Sequence, residues 1–539
     1  MAALRGADVL ARSLRRAGVQ HLFSLSGNHI MPVYDAVLDA GPRIVHVRHE
    51  AAAVHMADAW GRLTGEPGVA LLTGGPGHAN GLSALYTALA SESPLVLLSG
   101  EAPIGERHKG AFQEMRQVEM AAPVVKGAFC AQSAHTIGAE LARAWRHAKF
   151  GRPGPVYLGL PSDVLEARIE DGERAVPAAE AFAVKAIPLG DPAAQAVLAE
   201  LARARRALVL AGPAMASDRG RAALRALAEA TGVPALCMES PRGVNDPSLG
   251  ALAKVLAQAD LVVLLGKRLD FTLRYGQPPA LAAGCRVVLL DPDPEALRQA
   301  GVALGDPTRF ALAALANPLE ATVQMTRLAQ PVRSGWKNEV DTALRERPAA
   351  PVPGGGAVHP AELGRAVQLA IDHAREAVLV ADGGEFGQWA QACVSAPTRL
   401  INGPAGAIGS ALPFAIAAKL ARPGASVFAM LGDGTFGFHM AEFDTAVRAK
   451  LPFVAVVGND SCWNAEHQIQ LKAYGRERAH GCELLPTRYD RVAAALGGHG
   501  EHVERASELP AALQRAAGSG LPACVNVMIE RVAAPAVTQ

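Results

Sequence analysis

Three α/β domains, each built on a doubly wound parallel sheet, are the fold class that this sequence predicts. Three observations predict it. Short apolar runs alternate with amphipathic helical stretches along most of the chain. Stretches rich in Pro, Gly and charge interrupt that alternation twice. The 539 residues are also too many for one core, because single cores stop growing at roughly 250–300 residues. Alternation of this kind implies parallel strands covered by helices.

The first block, 1–170, runs helix 6–18, strand HLFSL, helix 30–40, strand RIVHV, helix 50–64, strand GVALLTG, helix 77–91 and strand PLVLLSG. The polar, Pro-rich stretch EARIEDGERAVPAAEAFAVKAIPLGDP then reads as a linker. The second block, 190–340, offers ALVLAG, helix 218–231, PALCM, DLVVLLG and CRVVLLD. The break RERPAAPVPGGGAVHP reads as surface chain. The third block, 358–539, shows helix 360–374, AVLVADG, helix 406–421, SVFAMLGDG, helix 439–450, FVAVVGND and PACVNVMIE.

Composition excludes several function classes. Lys and Arg number 52 against 51 Asp and Glu, so no basic field exists to hold nucleic acid or a membrane surface. No run approaches the roughly 20 apolar residues of a membrane span. The start, MAALRGADVLARSLRRAGV, reads as an amphipathic helix and not as a signal peptide, so a cytoplasmic location is expected. The seven cysteines are scattered and lack CxxC pairing, which argues against a disulfide framework or a zinc site.

The chemistry concentrates at strand exits. Asp433 follows SVFAML and lies between Gly432 and Gly434; Asp460 follows FVAVV, 27 positions later (460 − 433). In open α/β sheets ligands sit beyond the carboxyl ends of strands. The glycines let the backbone turn tightly and approach a ligand. The following helix, about 438–449, would aim its N–H groups at the same place, a natural phosphate site. Two carboxylates beside a phosphate need a cation, and a hard ion such as Mg²⁺ suits oxygen ligands. Taken singly, Asp433 reads equally as a helix cap and Asp460 as an Asx-turn residue; the pair favours a metal–diphosphate site.

Gly432-Asp433-Gly434 followed at this spacing by Asn459-Asp460 resembles the thiamin-diphosphate fingerprint, GDG and then NN. The resemblance implies Mg²⁺ on Asp433, Asp460 and the backbone carbonyl of Cys462. Asp460 stands where that pattern usually has Asn, which implies a more negative metal site. The stretch VRHEAAAVHMADAWGRLTG is similar to the cofactor-activating strand and helix of acetolactate synthases and benzaldehyde lyase. It implies that Glu50 is the carboxylate beside the cofactor's pyrimidine that drives removal of its reactive proton. Apolar neighbours are expected to keep Glu50 dry and raise its pKa. By itself Glu50 reads equally as a first-turn acid favoured by the helix dipole.

Further cofactor contacts are implied by the same resemblance. GGPGHAN (Gly74, Pro76) would pack on the pyrimidine. Gly406 and Ile408 in NGPAGAIGS would hold the ring, with Ile408 as the wedge. Gly384 and Glu385 in ADGGEF would meet the diphosphate through backbone, and Gly434 and Thr435 would complete the cradle, with Trp463 beside it.

Substrate-facing candidates come from segments that vary in kind. SLSGNHIMPVYDA carries Asn28 and His29, and its G-x-H-I pattern resembles benzaldehyde lyase, where the histidine lines the substrate site. Gln113 in GAFQEMRQVEM matches a substrate-facing glutamine; without the match it reads as a helix-surface residue. His78 reads equally as substrate-facing or as a satisfied structural histidine. Ala465, Glu466, His467 and Ile469 follow the metal segment, and the polar pair there favours a polar or anionic substrate. GKRLDFTLRYGQPP in the middle block resembles 2-hydroxyacyl-CoA lyases and oxalyl-CoA decarboxylase. That likeness raises a CoA or ADP moiety in the central domain, with Arg268 and Arg274 as phosphate contacts or as surface residues; acetolactate synthases hold FAD there.

The expectation is a thiamin-diphosphate- and Mg²⁺-dependent C–C lyase or carboligase acting on 2-hydroxy-carbonyl or 2-keto substrates, like 2-hydroxyacyl-CoA lyase or benzaldehyde lyase. The alternatives are an acetolactate synthase-like carboligase on pyruvate and a non-catalytic nucleotide-binding regulator. The resemblance also implies a homodimer or homotetramer, with Glu50 and the metal residues meeting across the subunit interface.

Overall fold

A computed structural model describes residues 3–331, 335–347 and 356–535. Residues 348–355, half of the expected surface stretch RERPAAPVPGGGAVHP, therefore lie outside the described residues. The first domain carries β1 (Leu4–Arg5), β2 (His21–Ser24), β3 (Arg43–His46), β4 (Gly68–Leu72), β5 (Leu95–Glu101), β6 (Gly127–Cys130), β7 (Pro155–Pro161) and β8 (Arg168–Ile169). Its parallel sheet has the order β3-β2-β4-β5-β7-β6. The central domain holds β9 (Ala207–Ala211), β10 (Ala235–Cys237), β11 (Leu261–Leu265), β12 (Arg286–Asp291) and β13 (Phe310–Leu315), in the order β10-β9-β11-β12-β13. The third holds β14 (Ala377–Asp382), β15 (Thr398–Ile401), β16 (Ser426–Gly432), β17 (Val454–Asn459), β18 (His499–Val503) and β19 (Ala523–Met528), in the order β15-β14-β16-β17-β19-β18. The central strands are buried on both faces, as parallel sheets require: all of β4, β9, β11, β14 and β17 is buried.

The expected linker after residue 166 is not wholly irregular. Arg168–Ile169 pairs antiparallel with Leu4–Arg5, and Leu4 and Ile169 bury their side chains there. Several strands have no clean apolar run in the sequence. Four strands outside the expected runs (β6, β13, β15, β18) are part-exposed sheet edges, and β15 and β18 mix polar and apolar residues.

Seven helices position the site: α1 (Glu50–Thr64), α2 (Pro76–Ala90), α3 (Gly384–Cys393), α4 (Ala411–Ala421), α5 (Asp433–His439), α6 (Glu442–Ala449) and α7 (Asn464–Tyr474). α4 is apolar nearly all round, α1 is Ala-rich, and both are buried along most of their length. They pack on one another and fuse the first and third domains into one core, in which Ala52, Ala53 and Met56 join Leu412, Phe414 and Ala415. Arg62 locks the junction: it pairs with Asp58 at 2.6 Å, donates to the Ile401 carbonyl at 2.7 Å and lies over the Phe414 ring.

Two helix expectations are corrected. The helix expected over 406–421 begins only at Ala411, because Gly403, Gly406 and Gly409 all take positive φ and hold the chain in a turn. The helix expected over 439–450 runs Glu442–Ala449, and a separate short helix that was not expected precedes it, starting at Asp433 itself. Among the described residues no helix is long and apolar enough to cross a membrane.

Candidate active site

In the third domain the strand exits build one cleft. Its walls are Gly383–Phe386, Ile408, Gly432–Thr435, Gly458, Asp460 and Cys462–Glu466. After β14 the chain turns through Gly383 (φ +54°) and Gly384 (φ +62°). A Cβ on Gly383 would lie 2.5 Å from Ile408 Cγ2 and 2.9 Å from Thr435 Oγ1; one on Gly434 would strike the Trp463 ring at 2.6 Å. These glycines let Ile408, Thr435 and Trp463 close around a concave space. Ala465 and Glu466 line the same cleft, whereas Ile469 is exposed further along α7.

Asp433 and Asp460 both face this space. Asp433 is 2% exposed, and its Oδ2 is buried with no hydrogen-bond partner. Burial raises the Asp433 carboxyl to about 6 against hydrogen bonds from the backbone of Gly434 and Cys462. Burial, and then the charge of Asp433, raises Asp460 to about 7. A buried and a half-buried carboxylate repelling one another, the buried one with an orphaned oxygen, form a site short of positive charge. An oxygen-seeking divalent cation fits that deficit. No cluster of three or more His, Cys, Asp and Glu side chains suited to a metal occurs among the described residues. The donor set here is two carboxylates, which the Cys462 carbonyl could complete.

Supporting residues that carry no motif hold this geometry. Asn459, fully buried, donates to the Thr487 carbonyl (3.0 Å) and to Asn526 Oδ1 (3.1 Å), and its own Oδ1 accepts from the Ser461 N–H. That fixes the turn at Ser461, whose φ is +54°. Arg531 donates to the carbonyls of Asp460 (3.0 Å) and Ser461 (3.1 Å) while pairing with Glu483. Asp382, fully buried at the end of β14, accepts from the N–H of Gly409 (2.9 Å) and of Ala411 (2.8 Å) and clamps the 406–411 turn. Burial lifts its pKa to about 6. Glu385 is not free to meet a ligand through its side chain, which accepts from the Ala534 N–H and from Gln388.

A second cluster lies in the first domain. Glu50 opens α1, where the His49 ring caps the helix by accepting from the Ala51 N–H at 3.1 Å. Its Oε2 accepts from Asn80 at 3.1 Å, and Gly77 packs beside Oε1. Glu50 is half-buried, not dry as expected, because Asn80 and open space adjoin it in the single chain. His29, 8% exposed, stacks on Phe112 at 6.0 Å, with its Nδ1 3.4 Å from Thr73 Oγ1. Neighbouring Asn28 is exposed. Gln113 sits in a turn at φ +56°, not on a helix surface, and packs over Gly75, where any Cβ would strike it at 2.8 Å. The structure thus gathers His29, Glu50, Gly74, Pro76 and Gln113.

His78 is corrected. It is fully buried, with Nδ1 3.0 Å from Ser99 Oγ and its ring on Tyr157 at 4.7 Å, so it faces no open cleft. The glutamine that shapes the glycine turn is one the sequence did not single out. Gln117 accepts from the Gly75 N–H (2.7 Å) and donates to the Gly100 carbonyl (3.1 Å) and the Tyr157 hydroxyl (2.8 Å).

A glycine cradle beside a carboxylate pair, with His29, Glu50 and Gln113 each packed along the glycine turn of the first domain, is the arrangement of a cofactor-binding α/β enzyme. The comparisons agree. Residues 4–120 match the N-terminal thiamine pyrophosphate (TPP) binding domain of thiamine pyrophosphate enzymes, 194–314 the central domain and 382–527 the C-terminal TPP binding domain. The acetolactate synthase large subunit IlvG of Mycobacterium tuberculosis is 35% identical over 97% of this chain and 95% of its own. 2-Hydroxyacyl-CoA lyase 2 of Homo sapiens is 31% identical over 98% and 90%, and the 2-hydroxyacyl-CoA lyase of Oryza sativa 30% over 97% and 95%. The chain belongs to the thiamine pyrophosphate enzymes and is a carboligase or lyase dependent on that cofactor.

Proposed function

We propose that the chain is a thiamin-diphosphate- and Mg²⁺-dependent C–C lyase or carboligase for 2-hydroxy-carbonyl or 2-keto substrates. We further propose that it works as a homodimer or homotetramer whose sites form between subunits. The observation that carries the metal half is the orphaned Asp433 Oδ2 beside Asp460. In this reading Asp433, Asp460 and the Cys462 carbonyl hold Mg²⁺, the glycine turns at 383–384 and 432–434 receive the diphosphate, and Ile408 supports the ring. Thiamin diphosphate supplies a nucleophilic carbon that adds to a carbonyl. Glu50 takes and returns a proton on the cofactor's pyrimidine. Gln113 would orient the substrate oxygen through hydrogen bonds, and His29 would take or return its proton.

Two features support an interface. The third-domain cleft is lined only by residues 383–466, while Glu50 bonds within the first domain. Large apolar side chains also stand exposed beside each half: Phe112 (67%) against His29, and Phe438 (53%) against Gly409 and Trp463. A second copy would cover them and bring Glu50 to the cleft.

The relatives' names divide the substrate question, and the mycobacterial similarity favours a second reading, decarboxylating carboligation of pyruvate. Incubation with pyruvate and, separately, with a 2-hydroxyacyl-CoA or an aromatic 2-hydroxyketone separates the two. Aldehyde release is the expected result. Rapid CO₂ and acetolactate formation from pyruvate would establish the second reading instead.

A further inference from the structure

The central sheet has the topology of a nucleotide-binding domain. From β9 the chain moves outward to β10 and then back to β11 on the other side. The switch point therefore lies beyond the carboxyl ends of β9 and β11, where doubly wound sheets take nucleotides. Gly212 and Gly266 follow these two strands, and the backbones approach so closely that a Cβ on Gly212 would meet the Gly266 carbonyl at 2.3 Å. The next strand, β12, ends on Asp291.

An anion already occupies this crevice, and it is a side chain of the same protein. Glu92 enters from the first domain, just before β5, in a left-handed conformation (φ +54°) that non-glycine residues adopt only when their surroundings impose it. Its Oε2 accepts from the Ala214 N–H, in the turn after β9, at 3.4 Å. Its Oε1 pairs with Arg152, which precedes β7. The Arg152 guanidinium also pairs with Asp291, with Nε 3.1 Å from Oδ1. All three side chains are nine-tenths or more buried. Lys267, just past β11 and 5% exposed, is itself engaged by Thr272 (2.6 Å) and Asp270 (3.3 Å). A backbone N–H, a guanidinium and a glycine-lined approach are what a phosphate would be offered, and here a carboxylate takes them. Arg268, a candidate phosphate contact, is exposed.

We infer that Glu92 is a built-in occupant of the central domain's nucleotide crevice: it satisfies Arg152 and the Ala214 amide and excludes nucleoside diphosphates, so this domain is an interdomain joint and not a second cofactor site. The inference goes beyond the proposed reaction and holds whichever substrate the thiamin site takes. It also removes one anchor for the nucleotide end of a CoA thioester.

The test is calorimetric titration of the holoenzyme, saturated with thiamin diphosphate and Mg²⁺, with ADP, CoA and FAD. Wild type is expected to show no saturable binding of ADP or FAD up to about 1 mM. Glu92→Gln and Glu92→Ser, checked for fold by circular dichroism, release Arg152 and are expected to bind ADP at least about tenfold more tightly than wild type. Adding Arg152→Ala should abolish that gain. Saturable binding of ADP or FAD to wild type overturns the inference, and so does CoA binding that ADP displaces. So do folded Glu92 variants that bind none of them, and a gain that survives Arg152→Ala.

Discussion

Glu442 Oε1 accepts the backbone N–H of His49, at 3.1 Å, one residue before the proposed activator Glu50. It also accepts the Arg48 N–H at 3.0 Å, and its other oxygen accepts from the Thr445 hydroxyl at 2.6 Å. Glu442 is 1% exposed and opens the helix that follows the Asp433 segment. One buried carboxylate therefore ties the start of the Glu50 helix to the diphosphate half of the same chain.

Removing that tie should loosen both halves. Glu442→Ala removes the acceptor of two part-buried N–H bonds and should cost about 1 kcal/mol per lost partner. Glu442→Gln keeps an acceptor and should restore most of the stability. Urea unfolding of the two variants checks this, with kcat falling for the alanine variant because Glu50 is misplaced.

At the metal end, Asp460→Asn should keep Mg²⁺ and cofactor, since an amide oxygen still ligates. Asp460→Ala should weaken cofactor affinity by about 10–100-fold, the scale on which metal-site changes act. An alanine variant that bound both normally would return Asp460 to the role of a turn residue.

Burial lowers His78 to about 4, so its unfolded form, near 6.5, binds protons first as pH falls. The sign follows: the stability from neutral His78 is complete above pH 6.5 and is lost as pH falls towards about 4. The loss is on the order of 3 kcal/mol. Buried acids raised towards 6 or 7, such as Asp382 and Asp460, act in the opposite sense. They are common to wild type and His78→Leu and cancel in the difference. The stability lead of wild type over His78→Leu should therefore shrink by that amount between pH 7 and pH 4, as read by unfolding at each pH.

The interface proposal makes a complementation prediction. Glu50→Gln and Asp433→Ala should each be inactive alone. Unfolded together and refolded, they should form mixed dimers in which one of the two sites is intact. Random pairing then restores up to about a quarter of wild-type activity. No recovery from refolded, folded mixtures would place Glu50 and Asp433 of one chain in the same site.

The fold class and the acid-bearing strand exits were legible because they are local: apolar runs, flanking glycines and an acid at each exit. Asp433, Glu50 and the Gly383–Gly384 turn all carry that signature. Residues joined only by tertiary packing carried none. Glu442 meets His49 across 393 positions, and Asp382, Gln117 and Arg531 act on backbone groups far along the chain. His78 has a motif around it, yet its burial against Tyr157 is decided by the neighbouring strands. The short helix α5 was not legible because its sequence, DGTFGFH, carries two glycines and no apolar periodicity.

The most direct test is calorimetric titration of the cofactor-free protein with thiamin diphosphate, with and without Mg²⁺, on wild type and Asp433→Ala. Saturable binding to wild type is expected only when Mg²⁺ is present, with its loss in Asp433→Ala. Binding that ignores Mg²⁺, or that survives unchanged in Asp433→Ala, would contradict the proposed metal–diphosphate site.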